Sequence, residues 1–284
     1  MSELAEDRTL EGRVALVTGA SRGIGAAIAR RLAASGAAVC VSARTVEPGQ
    51  SAFEGTITET VDDIVATGGA AVAVAANLAA DEDRARLVSE TERELGPVDI
   101  LVNNGAVTYF VPVKDFEERH YRLMFEVQVR APFDLSQMVL PGMIERESGS
   151  ILNISSKAAL HPEGPPFGGS TGGAVYGMVK AALERFTTGL ASEVHGNGVT
   201  VNVLSPTSIV PTPGVVHHRL ITPDRVAFVE QDTVMAEAAH LLVSRKITGR
   251  IAYSQQILAE YGLGPDPADD MVVDQHPRAK RRPG

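Results

Sequence analysis

The chain has 284 residues, of which 44% are hydrophobic and 21% are charged, a composition typical of a globular protein. Its formal net charge of −9 argues against a general binder of nucleic acids or other polyanions. Cys40 is the only cysteine, the acidic stretch 1–13 lacks an apolar signal segment, and no apolar run is long enough to cross a bilayer. We therefore expect a cytoplasmic protein with no intrachain disulfide, no membrane anchor and no metal site.

The first predicted unit is a buried strand, a glycine-rich turn and a helix. The apolar strand 14–17 precedes the turn 18–25, and an alanine-rich helix follows as far as Ser35. Glycines allow a tight turn and a close approach of the backbone, and a helix N-terminus points free N–H groups at an anion. This order predicts a site for a dinucleotide pyrophosphate, the alternative being a purely structural turn. The candidate contacts are Gly19, Ser21, Arg22, Gly23, Ile24 and Gly25.

The second strand, 39–42, ends next to Arg44, where the adenosine ribose of a dinucleotide is expected. An acidic residue there would bind the free 2′-hydroxyl of NAD, whereas an arginine can bind the 2′-phosphate of NADP. No acidic residue occupies 42–44, and Arg22 supplies a second cation. The sequence favours NADP(H) over NAD(H), the alternative being that Arg44 is a solvated strand end.

Helices and strands then alternate, which predicts a parallel sheet with right-handed crossovers. Ligands of such sheets bind at the carboxyl ends of the strands. Asn77-Leu78 and Asn103-Asn104 each follow one of the predicted strands. The predicted elements of this part are a loop at 45–55, helix 56–66, strand 71–75, helix 81–95 and strand 98–102.

The second half of the chain continues this alternation. A long helix at 115–143 is expected to bend near Pro132, and a Gly- and Pro-rich loop covers 160–173. We expect a single domain, 10–263, between an N-terminal arm, 1–9, and a disordered polar tail, 264–284. The remaining predicted elements are strand 150–154, helix 174–195, strand 199–204, a flap over the site at about 207–223, helix 233–243 and an edge strand at 249–253.

The predicted helix 174–195 carries a phenol and an ammonium group four residues apart, at Tyr176 and Lys180. This spacing places both side chains on one helix face. A phenol ionises near pH ~10, and a cation beside it is expected to lower that pKa. The pair is therefore a candidate acid–base centre, although surface helices also carry such pairs by chance.

These motifs together resemble the short-chain dehydrogenase/reductase family over residues 10 to about 254. The resemblance rests on the turn 18–25, Asn103-Asn104, a serine at the end of strand 150–154, the Tyr176/Lys180 pair and the turn 202–206. It implies one Rossmann-type, doubly wound α/β domain with a seven-stranded parallel sheet flanked by helices. It also implies hydride transfer between a nicotinamide and an alcohol or ketone, in a homodimer or homotetramer packed through the two long helices.

The resemblance also implies individual roles. Tyr176 is expected to be the general acid or base, and Lys180 is expected to lower its pKa and hold the nicotinamide ribose. Ser156 is expected to bind the substrate oxygen, with Ser155 as the alternative. Asn77, Leu78 and Asn104 are expected along the adenosine side of the cofactor, and the Ile209 backbone at the nicotinamide carboxamide. Gly105 is expected to be a further cofactor contact.

The sequence departs from the family pattern in four ways. Gln128 takes the place of an asparagine in the long helix that serves a proton relay, and it is the fourth catalytic candidate. Asn77 replaces an acid, and Gly105-Ala106 reverses the usual Ala-Gly order. Thr207 replaces a glycine, and a threonine adopts positive φ only with strain.

Two classes of function remain open after these departures. The favoured one is an enzyme for a hydrophobic alcohol or carbonyl compound, using NADP(H) or, alternatively, NAD(H). The other is a regulatory protein that senses NADP(H) and has weak catalysis. Six mostly apolar residues are candidates for the substrate pocket or for ordinary core: Val107, Tyr109, Phe110, Leu160, Phe167 and Val215.

Overall fold

Seven parallel strands form one sheet in the order β3-β2-β1-β4-β5-β6-β7. The computed structural model describes residues 8–162, 164–165, 172–217 and 229–266. The sheet and its flanking helices confirm the predicted Rossmann-type architecture. The strands are β1 Val14–Thr18, β2 Ala38–Ala43, β3 Ala70–Ala75, β4 Ile100–Asn103, β5 Gly149–Ile154, β6 Val199–Ser205 and β7 Ile251–Tyr253.

The central strands are apolar along their whole length because both faces of the sheet are covered. Every residue of β1, β4 and β5 is buried. The chain passes from β1 outward to β3, then returns to add β4 on the other side of β1. This reversal separates the connections that leave β1 and β4, and it opens a crevice at their carboxyl ends.

The helices cover the two faces of the sheet. One apolar cluster joins the sheet to α1, α2, α8 and α9, and the other joins it to α3, α5 and α6. Cys40 of β2 is fully buried in the second cluster. The helices are α1 Gly23–Ala34, α2 Ile57–Ala66, α3 Asp81–Leu95, α4 Glu118–Phe125, α5 Ala131–Glu145, α6 Ala174–Glu193, α7 Pro213–His217, α8 Asp232–Ser244 and α9 Ser254–Glu260.

The long helix predicted at 115–143 is interrupted rather than bent. A π-helical segment, Glu126–Arg130, separates α4 from α5. Pro132 is the second residue of α5, and it has no N–H to donate to the carbonyl of Gln128 four residues earlier. Widening the helix by one residue per turn relieves this conflict, and π segments of this kind often mark functional sites.

Several predicted segments lie partly outside the described residues. They include most of the arm 1–9 and of the tail 264–284, seven residues of the loop 160–173, and the end of the flap from 218. Within the flap, α7 is described, and a β-bridge joins Ile209 to Val229. No helix in the described ranges combines the length and apolarity needed to span a membrane.

Candidate active site

A cleft of about 1010 Å³ lies at the carboxyl ends of the strands. All of the predicted site residues except Gln128 line it, although they come from seven separate parts of the chain. These lining residues are Gly19, Ser21, Arg22, Gly23, Ile24, Gly25, Arg44, Asn77, Leu78, Asn104, Gly105, Ser156, Tyr176, Lys180 and Ile209.

The glycine turn is packed so closely that side chains would not fit at two of its positions. A Cβ on Gly25 would lie 2.5 Å from the Gly19 carbonyl oxygen, and Gly19 itself has a φ of +64°. The Asn104 side-chain amide donates to the carbonyls of Thr18 and Gly19, at 2.9 and 3.0 Å. Asn104 therefore holds the turn in place from the end of β4, and the glycines keep its inner surface open to a ligand.

The N-terminus of α1 presents backbone N–H groups to the cleft. Arg22 precedes the helix in an extended conformation, no side chain caps the helix, and its first turn has no acidic residue. These N–H groups and the helix dipole favour an anion at this point. A Cβ on Gly23 would lie 3.0 Å from Cγ2 of Thr212, so the start of the flap approaches this helix end, a contact that the sequence did not predict.

Two arginines face the adjoining end of the cleft. The Arg22 guanidinium donates to Ser21 Oγ, Ser51 Oγ and the Gly55 carbonyl, at 3.2, 3.1 and 2.7 Å. Burial is the main cause that lowers the pKa of Arg22, with the charge of Arg44 acting in the same direction. Arg44 is exposed and forms no hydrogen bond or ion pair with the rest of the described chain. The loop 45–55 thus fixes one cation and leaves the other available to a ligand.

The departures at Asn77 and Gly105 have local structural explanations. The Asn77 side-chain oxygen accepts from the Ala79 N–H at 3.2 Å, so it closes a turn of its own. A Cβ on Gly105 would lie 2.4 Å from Cδ1 of Leu78, which lines the same wall. Gly105 therefore allows Leu78 to pack closely against this wall, although the Gly105-Ala106 order reverses the one usual in the family.

Three polar side chains converge at the other end of the cleft. Ser156 follows β5, and Tyr176 and Lys180 lie one turn apart on α6. A hydrogen bond joins the Ser156 hydroxyl to that of Tyr176. Lys180 is buried, its Nζ donates to the Ile154 carbonyl at 2.9 Å, and this nitrogen lies 5.8 Å from the centre of the Tyr176 ring.

The electrostatic expectation for Tyr176 was wrong in direction. Burial raises the pKa of Tyr176 above its usual value, and the hydrogen bond from Ser156 offsets this effect only in part. Burial also lowers the pKa of Lys180 to about 8, with the charge of Glu184 opposing the shift. Removal from water penalises a charged phenolate, and this effect is larger than that of the hydrogen bond from Ser156. In this structure Tyr176 is therefore a neutral proton donor over the physiological pH range.

The two serines at the end of β5 have different partners. The Ser155 hydroxyl donates to Oε1 of Glu184 at 2.7 Å, one helical turn beyond Lys180. The Ser156 hydroxyl accepts from the Ala158 N–H at 3.2 Å and reaches Tyr176. Both residues border the cleft, but the hydroxyl beside the phenol belongs to Ser156.

Gln128 lies behind the cleft wall rather than on it. Its side chain is 1% exposed, and its Nε2 donates to the Val107 carbonyl at 2.7 Å. Its Oε1 is buried and has no protein partner among the described residues. The π segment thus brings Gln128 beneath the strand-end loop that follows β4, where it holds Val107 in the cleft wall.

Thr207 does not show the backbone strain expected of it. In the described ranges Glu147 is the only non-glycine residue with a positive φ. The Thr207 N–H donates to Ser254 Oγ at 2.9 Å, and its Oγ1 accepts from the Gln255 N–H at 3.0 Å. The threonine hydroxyl thus connects the end of β6 with the start of α9.

The space beside Tyr176 is mainly apolar. Val107, Phe110 and Val215 line the cleft as predicted, and the Phe110 ring meets the Tyr176 ring edge-on with 5.5 Å between centroids. Tyr109 lies outside the lining because its ring stacks on His120, with centroids 3.8 Å apart. Leu160 also lies outside it, at 42% exposure, and Phe167 falls outside the described residues.

Comparisons with known proteins agree with this geometry. Residues 13–219 match the family model for short chain dehydrogenases. A short chain dehydrogenase of Pseudocercospora fijiensis is 38% identical over 70% of this chain and 60% of its own length. An acetoacetyl-CoA reductase of Allochromatium vinosum is 36% identical over 68% of this chain and 74% of its own.

The structural comparison extends over most of the molecule. A metagenomic short-chain oxidoreductase solved in complex with NADP superimposes with a TM-score of 0.70 at 30% identity. The superposition covers 86% of this chain and 98% of that one. The protein therefore belongs to the short-chain dehydrogenase/reductase family of NAD(P)-dependent oxidoreductases.

Proposed function

We propose that this protein is an NADP(H)-dependent oxidoreductase that interconverts an apolar ketone and its alcohol. The observation that carries the proposal is the cluster of Ser156, Tyr176 and Lys180 at one end of a continuous cleft. The opposite end of the cleft has an uncapped helix N-terminus and two arginines, which suit the phosphates of a dinucleotide.

The chain's own residues fit the cofactor along the cleft. The N–H groups at the start of α1 suit the pyrophosphate, because the closely packed glycines leave room for it. Arg44 and the pre-oriented Arg22 suit a 2′-phosphate, and no acidic residue of the adjacent strand end competes for a ribose hydroxyl. These features favour NADP(H) over NAD(H). The NADP-bound relative has the same fold, which supports this assignment.

The catalytic roles follow from the protonation states. When bound, the nicotinamide supplies the hydride for ketone reduction and accepts it in the reverse reaction. Tyr176 remains protonated because burial raises its pKa, so it can donate its hydroxyl proton to the substrate oxygen as negative charge develops there. Ser156 can donate a second hydrogen bond to the same oxygen. Lys180, while protonated, stabilises the phenolate that remains, and Phe110 helps to exclude water from this end of the cleft.

The decisive experiment follows NADPH oxidation with a panel of apolar ketones. Tyr176→Phe keeps the ring and its contact with Phe110 but removes the transferable proton. We expect its kcat to fall at least ~100-fold while NADPH affinity changes little. Tyr261→Phe is the matched control, since Tyr261 is exposed and does not line the cleft. Wild-type turnover by Tyr176→Phe would refute the acid–base role.

A nucleotide-sensing role is the second candidate, and the position of Gln128 favours it. The Gln128 amide is engaged with Val107, so it does not present its donor to the cleft as a relay residue would. The same assay separates the two functions. NADPH binding without turnover of any ketone would support the sensor over the enzyme.

We also propose a homodimer or homotetramer built through the outer faces of α4, α5 and α6. Phe133 and Met138 of α5 and Met178 of α6 are 41, 39 and 44% exposed, which is unusual for large apolar side chains. Light scattering tests this assembly, since Phe133→Glu would shift the mass towards the monomer. The cytoplasmic location stays a prediction.

A further inference from the structure

The base of the flap is closed by contacts between residues that are far apart in the sequence. Ile209 pairs with Val229 in a β-bridge, and the Glu230 N–H donates to the Ile209 carbonyl at 3.0 Å. The chain leaves β6 and returns to α8 through this pairing. The segment 207–209, next to the nicotinamide end of the cleft, is thus paired with the residues that precede α8.

A buried carboxylate lies behind this closure. Glu230 is 4% exposed, and its two oxygens accept from Ser254 Oγ and Gln255 Nε2, both at 2.7 Å. The backbone N–H groups of Thr207 and Ser208 also stabilise its charge. Burial raises the pKa of Glu230, and these four donors oppose the rise. A carboxyl group placed so far from water is costly unless its hydrogen bonds are satisfied, so the site is built around it.

The same donors connect Glu230 to the cleft wall. The Ser254 hydroxyl donates to Glu230 and accepts from the Thr207 N–H at 2.9 Å. The Gln255 N–H donates to Thr207 Oγ1 at 3.0 Å, while its side chain reaches the other oxygen of Glu230. Thr207, Ser208 and Ile209 all line the cleft. Glu230 itself does not line it, so any effect on a ligand must pass through this segment.

We propose that Glu230 is a positioning residue for the nicotinamide half of the cofactor. Its carboxylate, acting with Ser254, fixes the segment 207–209 against which the nicotinamide would bind. The inference rests on the proposed NADP(H) function and adds a residue that neither touches the ligand nor belongs to the catalytic cluster.

The chemistry of the site explains why a carboxylate is required. The Ser254 hydroxyl and the Gln255 side-chain amide each donate to one of the two carboxyl oxygens, and only an acceptor at both positions satisfies them. Glu230→Gln keeps the shape but directs an NH₂ group at one of these two donors. The segment 207–209 then loses its anchor, whereas the glycine turn and Arg22 keep theirs on β1, β4 and the loop 45–55.

The test compares two ligands that differ only in the nicotinamide. Calorimetry measures the Kd of NADPH and of 2′-phospho-ADP-ribose, which retains the adenosine half and lacks the nicotinamide. We expect Glu230→Gln to weaken NADPH binding about tenfold and the fragment less than about twofold, as for the loss of one hydrogen bond to a charged group. Ser254→Ala removes one donor and should act in the same direction, by about threefold.

Glu260→Gln is the matched control, because Glu260 of α9 pairs with Arg250 in a partly exposed contact and does not line the cleft. Equal losses for NADPH and the fragment would mean a general structural role and would overturn the proposal, as would wild-type affinities in both variants. Should Glu230→Gln fail to fold, the Ser254→Ala comparison decides. Failure of the unaltered protein to bind NADPH would instead refute the proposed function and, with it, this inference.

Discussion

Arg44 offers the sharpest test of cofactor choice, because its side chain has no other structural task. It is exposed, lines the cleft and makes no hydrogen bond or ion pair within the described part of the chain. Arg44→Ala should therefore leave the fold intact and act only on a ligand. Arg22 would be a poorer choice, since its substitution also frees Ser51 and Gly55 of the neighbouring loop.

The magnitude follows from the contact that Arg44 would make. A hydrogen bond to a charged phosphate contributes about 1.5–3 kcal/mol, and ordering an exposed arginine costs up to ~2 kcal/mol of side-chain entropy. Arg22 is already held in place and would still contact the 2′-phosphate in the variant. We therefore expect a free-energy loss at the low end of the ~1.5–3 kcal/mol range, which is about a tenfold loss of NADPH affinity for Arg44→Ala. Arg44→Asp adds repulsion of the 2′-phosphate and should reverse the preference towards NADH.

The assay is a titration of NADPH and NADH with each variant, read by calorimetry at two salt concentrations. The affinity for NADH should change less than about twofold in Arg44→Ala, since NADH has no 2′-phosphate. The loss of NADPH affinity in Arg44→Ala should be smaller at high salt, because salt screens an exposed contact between charges. Arg93→Ala, an exposed arginine of α3 outside the cleft, is the control. An unchanged ratio of NADPH to NADH affinity in both Arg44 variants would refute the assignment.

Two further predictions concern the catalytic cluster. Ketone reduction uses the Tyr176 phenol and the Lys180 ammonium. Burial raises the pKa of Tyr176 and lowers that of Lys180 to about 8. The kcat/KM for reduction should therefore be level at lower pH and fall as the pH rises through about 8, where Lys180 loses its proton. Lys180→Arg keeps a cation and should move this fall in kcat/KM to higher pH. A fall that stays at the same pH in this variant would contradict the assignment of the fall to Lys180. Ser156→Ala should lower kcat about 100-fold through the loss of a donor to the substrate oxygen. Ser155→Ala should retain most activity because its hydroxyl serves Glu184, and equal losses in a ketone-reduction assay would show that the two roles are shared.

The sheet was predictable from the sequence because its strands are buried on both faces. Unbroken apolar runs such as 14–17 read directly as parallel strands, and the glycines after them mark the connections. The interruption of the long helix was harder to predict. Pro132 signals a disturbance, but whether the backbone bends or widens into a π segment depends on what packs against it.

The candidate site likewise has parts that the sequence predicts and parts that it does not. The glycine turn and the Tyr176/Lys180 spacing are local patterns, so a single segment of chain predicts them. The partners of Glu230 lie 24 and 25 residues away, and those of Ser155 lie 29 away, and no local pattern records such contacts. The pKa of Tyr176 was mispredicted for a related reason, because burial is a property of the assembled fold.

The rate at which the buried Cys40 is chemically modified reports how often the sheet opens. Its side chain is fully enclosed in β2, and burial raises the pKa of its thiol to about 12, so alkylating reagents find almost no thiolate in the closed state. Modification must then wait for the sheet to open. A ligand that binds in the cleft only while the sheet is intact slows the modification by a factor of 1 + [L]/Kd. The labelling rate of one natural thiol thereby becomes a measure of cofactor affinity, even before any substrate is known.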